Sequence, residues 1–192
     1  IISFAAFLVI TSVFKAQEIG IYTAVIAMQR VIAFFTDFGL GAALIQKKDE
    51  LKQEDITTSF TVQSGISLAI FIVIVLFIGW FASFFKLNTD AQMLLLVLVF
   101  TIFLSSFKTI PSILLERSLK FSKLVIPQIA EVLVFNIILV GLTLSGYGIS
   151  SFTWAFLISS IVGIPLYYFI SPWKLRIGIH KESLNYLKYG VQ

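Results

Sequence analysis

The chain has no cysteine, one histidine, and charge on only 12% of its 192 residues. The lack of cysteine excludes a disulfide framework, a thiolate metal site and a cysteine nucleophile. A lone histidine, His180, cannot assemble a metal centre, so no metal ligands are assigned. Nothing pairs a nucleophile with a base, so no catalytic residues are assigned and no covalent chemistry is expected. The opening "IISFAAFLVITSVF" also lacks the basic start and cleavage site of a signal peptide.

What the chain has instead is apolar surface. Hydrophobic residues make up 58% of it and its mean hydropathy is +0.99, too much to bury inside a soluble domain of this size. Residues 56–85, 91–107 and 132–173 contain no Asp, Glu, Lys or Arg. A spanning helix needs about 20 mainly apolar residues, and lipid admits only helices or closed barrels. These runs are too continuously apolar for alternating barrel strands. The fold class is therefore all-α, a polytopic helical membrane protein with about six transmembrane helices.

The spans are placed near 1–14, 19–46, 57–85, 91–115, 122–145 and 150–171. The glycine-bearing "SGYGISS" divides the last uncharged block into two crossings. The first span is short, and residue 1 is expected to lie inside a truncated helix. "LNYLKYGVQ" is expected to open a seventh. Residues 172–192 would then be a cytoplasmic amphipathic linker running into it.

Orientation follows from the cations. Lys47, Lys48 and Lys52 fall in one connection, Arg117, Lys120 and Lys123 in a second, and Lys174, Arg176, Lys181 and Lys188 after span six. The opposite connections hold only Lys15 and Lys86. By the positive-inside rule the basic loops are cytoplasmic. The net charge of +4 thus reports topology and attraction to anionic membrane lipids, and no nucleic-acid partner is expected.

"TDFGLGAALIQ" (36–46) carries the letters of two nucleotide motifs. An Asp-Phe-Gly has kinase meaning only beside a phosphate loop, a strand lysine and a catalytic loop, none of which is present. Gly39-x-Gly41 follows a helix and is too short for a dinucleotide fingerprint. Gly39 and Ala43 have the spacing of a close helix contact.

Three stretches resemble the Wzx-type polysaccharide transporters of the multidrug/oligosaccharidyl-lipid/polysaccharide exporter superfamily. They are "FFTDFGLGAALIQKKDELKQEDITTSF", "IPSILLERSLKFSKL" and "SPWKLRIGIHKESLNYLKYG". The resemblance implies one six-helix lobe of a two-lobe transporter, with the C-terminal lobe of the same polypeptide as its missing partner. It implies a bacterial inner-membrane flippase that moves undecaprenyl-pyrophosphate-linked oligosaccharide by alternating access, for exopolysaccharide, capsule or O-antigen assembly. No cofactor is implied. A proton or sodium gradient is the candidate driving force, with Glu131 or Asp37 as candidate protonation site.

Intramembrane charges are costly and usually face a bundle interior or a wet cavity. Thr23, Arg30 and Asp37 recur every seven residues and so share one face of span two. Counting depth along each helix suggests two tiers: Arg30 with Glu131 near the midplane, and Asp37 with Lys108 near the cytoplasmic mouth. Arg30 and Lys108 would attract an anionic headgroup. Gln128 and Asn136 either line the cavity or bridge helices. Glu116 and Arg117 are expected at the interface, and Pro111, Pro127 and Pro165 inside helices. Trp80, Trp154, Trp173 and Tyr147 are expected as interfacial anchors.

Other readings are a drug or cation exporter of the same superfamily, a membrane enzyme of lipid-linked glycan assembly, and a membrane scaffold. The exporter would favour an acidic cavity and the enzyme a large polar loop. The intramembrane charges argue against the scaffold.

Overall fold

The computed structural model describes residues 2–36, 40–47, 50–181 and 183, with the side chains of residues 2–7 and 40 outside the description. Every regular element in this set is a helix: α1 (Ile2–Val13), α2 (Ala16–Thr36), α3 (Leu40–Gln46), α4 (Gln53–Phe85), α5 (Thr89–Arg117), α6 (Phe121–Leu144) and α7 (Ser150–Ile170). Five of them, α2, α4, α5, α6 and α7, are long and apolar enough to cross a membrane. The chain is an all-α, multi-pass membrane protein. The single second span expected at 19–46 is described as α2 and α3; Asp37 and Gly39 lie outside the described residues.

Local chemistry sets the ends of these helices. The Asn88 Oδ1 accepts from the Ala91 N–H at 2.9 Å and caps α5. The Asp55 carboxylate reaches back to the Lys52 N–H at 3.0 Å and caps α4. In the α6–α7 turn, Gly146 and Gly148 take φ of 82° and 53°, which side-chain-bearing residues rarely adopt. Pro111, Pro127 and Pro165 sit inside α5, α6 and α7.

Helix α5 is the central element. It packs against α2, α3, α4 and α7, and more sparsely against α6; α7 packs between α5 and α6, and α1 lies on α6. Among the described residues, the backbones of α2 and α6 are not neighbours. One apolar core joins Phe14, Val25, Ile74, Leu94, Leu98, Leu139 and Phe152 toward the end that holds the 14–22, 87–94 and 146–152 connections. A second, around Leu44, Ile56, Phe60, Ile110 and Ile113, lies toward the other end. There Leu115, Leu124 and Tyr167 bring the α5–α6 turn beside the end of α7. The basic segments after α3, α5 and α7 therefore gather at one end of the bundle.

Helix α4 sets the membrane level. Its 33 residues extend about 50 Å, well beyond a hydrocarbon core of about 30 Å. Residues 65–85 are uniformly apolar or small and supply a span of about 31 Å. The preceding "QEDITTSFTVQS" is more polar, and on this count it falls beyond the hydrocarbon core. Trp80, Trp154 and Tyr147 are exposed on the bundle surface. Trp173 instead packs edge-on against Phe60, with ring centroids 5.3 Å apart.

Candidate functional site

A cleft of about 860 Å³ opens between α2, α3, α4 and α5. Its α5 wall carries Ser105, Thr109, Ser112 and Glu116, spaced four, three and four residues apart and hence on one helical face. Gln63 and Ser67 face it from α4, and Gln29 and Arg30 from α2. Several hydroxyls bond to their own helix: Ser105 to the Ile102 carbonyl at 2.6 Å, Thr109 to Ser105 at 3.2 Å and Ser67 to Gln63 at 2.9 Å. Their remaining lone pairs make the wall an acceptor surface. The Ser112 hydroxyl donates to Glu116 Oε1 at 3.0 Å, which holds that carboxylate at one end of the cleft. The Arg30 guanidinium lines the cleft, and no described residue is hydrogen-bonded or ion-paired to it.

Lys108 and Glu131 lie elsewhere. Lys108 Nζ donates to both carboxylate oxygens of Glu131, at 2.9 and 3.0 Å. The pair replaces the two expected tiers. Arg30 cannot meet Glu131 because α5 stands between α2 and α6, and Lys108 is engaged on the α6 side. Asp37 lies outside the described residues.

Helix α7 packs between α5 and α6, so the pair must cross its surface, and it does so at Gly163. An added Cβ there would overlap the Glu131 carboxylate. Gln128, one turn before Glu131, lies near the buried Tyr167, one turn after Gly163. Asn136 donates to the Val132 carbonyl of its own helix at 2.6 Å. Neither Gln128 nor Asn136 lines the cleft.

Arg117, expected at the interface, has a long-range task. Its Nη1 donates to the carbonyls of Leu44 (2.7 Å), Ile45 (3.2 Å) and Lys47 (2.7 Å). A cation at a helix C-terminus satisfies orphan carbonyls and complements the helix dipole. The small face of α3 then lies close to α5, with Gly41 near Ile113. Arg117→Ala should loosen α3, with faster backbone exchange over residues 40–47 and a stability loss of about 2 kcal/mol. Arg117→Lys should recover part of it. Unchanged exchange in the alanine variant would refute this role.

The cleft residues missed at the sequence level, Gln29, Gln63, Ser67, Ser105, Thr109 and Ser112, were visible as period-matched polar positions. On α5 the four-three-four spacing was the signal; reading only charges passed over it.

A multi-pass helical bundle with a polar cleft reaching into its membrane-embedded part has the make-up of a transport or lipid-handling protein. The sequence profile of the polysaccharide biosynthesis protein family matches residues 9–192. The chain belongs to that family. No curated protein and no solved structure matches it.

Proposed function

We propose that the complete protein is a flippase for lipid-linked oligosaccharide, moving undecaprenyl-pyrophosphate-linked repeat units from the cytoplasmic to the outer leaflet of a bacterial inner membrane by alternating access. In this reading the described bundle is one lobe, the basic end is cytoplasmic, and a second lobe closes the cleft. The observation that carries it is Arg30: a guanidinium in a polar cleft, without an anionic partner among the described residues. A guanidinium pairs two donors with phosphate oxygens in a planar fork, and the hydroxyl- and amide-lined walls suit a sugar. Lys108 is neutralised by Glu131, so the anion-binding role rests on Arg30.

The test is surface-polysaccharide export by the complete protein, normalised to its level in the membrane. A charge-assisted hydrogen bond contributes about 1.5–3 kcal/mol, so Arg30→Ala should reduce export about 10- to 100-fold. Arg30→Glu should abolish it, and Arg30→Lys should retain part. Normal export by Arg30→Glu would sink the proposal. Glu116 favours the second reading, a cation or drug exporter. That reading requires Glu116→Gln to abolish transport of a cationic substrate while Arg30→Ala spares it.

A further inference from the structure

The segment after α7 lies along the first turns of α4 as a non-helical strap. The Gly178 N–H donates to Thr61 Oγ1 at 3.0 Å and the His180 N–H to Thr58 Oγ1 at 3.1 Å. Ser183 Oγ then donates to Asp55 Oδ1 at 2.9 Å. Strap numbers rise as helix numbers fall, so the strap runs antiparallel to α4 and is tied at every third helix residue. Amides two residues apart that point the same way define an extended chain, whose side chains alternate between two faces. On one face, Gly178 lies against Thr57 and the His180 ring. On the other stand Leu175, Ile177 and Ile179, 45%, 79% and 60% exposed.

That apolar edge is held at a defined depth. Thr58 and Thr61 precede residues 65–85 of α4, a length that by itself spans the hydrocarbon core, which puts them near its edge. Lys174, Arg176 and Lys181 interleave with or follow the edge and are exposed as well. Apolar side chains beside cations at this level fit the boundary between acyl chains and anionic headgroups.

We propose that residues 174–181 form an interfacial strap. Leu175, Ile177 and Ile179 insert at the acyl boundary, and Lys174, Arg176 and Lys181 engage the phosphates of anionic phospholipid. The ties to Thr58 and Thr61 hold the strap in register on α4. The inference rests on membrane embedding alone and is independent of the cargo.

This chain has no cysteine of its own, so labels can be placed in it one at a time once any cysteine elsewhere in the complete protein is replaced. Single cysteines placed in turn at residues 174–181 of the complete protein carry a nitroxide label, in phosphatidylcholine vesicles with and without phosphatidylglycerol. Collision with oxygen, relative to a water-soluble nickel complex, should peak at 175, 177 and 179 and fall at 174, 176 and 180. The contrast should grow several-fold with phosphatidylglycerol, and K174Q/R176Q/K181Q should remove that growth. Thr58→Val with Thr61→Val should erase the alternation, without the positions tested being altered. Free access of the nickel complex to 177 and 179 would overturn the proposal. So would shielding of 175, 177 and 179 from both probes, which marks a covering protein segment, or a contrast indifferent to phosphatidylglycerol.

Discussion

Gly163→Ala is expected to destabilise the bundle by displacing the Glu131 carboxylate from its place beside Lys108. The alanine Cβ would occupy the space now filled by the Glu131 carboxylate, and its competitor for that space is a charged group. Neither helix α5 nor α6 can shift alone, because both pack on the helix that carries the new methyl. The carboxylate ends a flexible side chain and can swing aside, so the cost is a weakened contact with Lys108. Breaking a buried pair by removing one partner costs about 3–5 kcal/mol. The Lys108 and Glu131 side chains retain 14% and 24% exposure and can re-seat, so the expected loss is smaller, about 1–2 kcal/mol. Thermal unfolding of the purified protein in detergent measures it.

A second variant separates this mechanism from simple crowding. In a Glu131→Ala background the space beside residue 163 is vacant, so Gly163→Ala should add almost nothing. The double-mutant cycle should then show coupling of about 1–2 kcal/mol. Additive effects, or a Gly163→Ala protein as stable as its parent, would show that the glycine does not serve the pair.

The same locus shows where sequence reasoning succeeded and where it slipped. Lys108 and Glu131 were both recognised as intramembrane charges needing partners, and that was legible from apolar runs alone. Their mutual pairing was legible too, had depth been counted from the turn that joins their helices. Measured from Arg117 and Phe121, the two lie about 14 and 15 Å from one end of the bundle. Counting Lys108 from the far end of its helix hid the match. What no count along a chain supplies is the order of helices around the bundle. The position of α7 between α5 and α6, and of α5 between α2 and α6, decides that Lys108 meets Glu131 and Arg30 does not. Arg117 illustrates the same gap. Its charge and its place at a helix end were plain, but its partners are carbonyls about 70 residues earlier, brought there by packing. The all-α membrane class, by contrast, follows from composition and run length, because lipid leaves the backbone few other solutions. Of the stretch "TDFGLGAALIQ", the described part answers the phosphate-loop resemblance: Ala43 and Leu44 are buried in an apolar core, and Gly41 lies against Ile113.

Asp55→Ala should produce the second large effect, and it should be felt at two distant segments at once. The carboxylate is 5% exposed and accepts from Lys47 Nζ at 2.6 Å, the Lys52 N–H at 3.0 Å and Ser183 Oγ at 2.9 Å. It therefore caps α4, ties the residue after α3 to that cap, and fastens the far end of the strap. Losing a helix cap costs about 1 kcal/mol, and leaving donors to a buried charge without their acceptor adds about 1–3 kcal/mol. A total near 3 kcal/mol is expected, with backbone exchange rising both over residues 44–55 and over residues 174–183. Asp55→Asn tests the charge by itself. Its amide oxygen can still accept one of these bonds, but its NH₂ must turn toward another donor, so a smaller loss with the same two-segment pattern is expected. Thr58→Val with Thr61→Val should instead loosen only the strap, since the α4 cap and the Lys47 contact remain. If Asp55→Ala left the strap as protected as in the parent, Asp55 would be a helix cap alone, and the two threonines would carry the attachment without it.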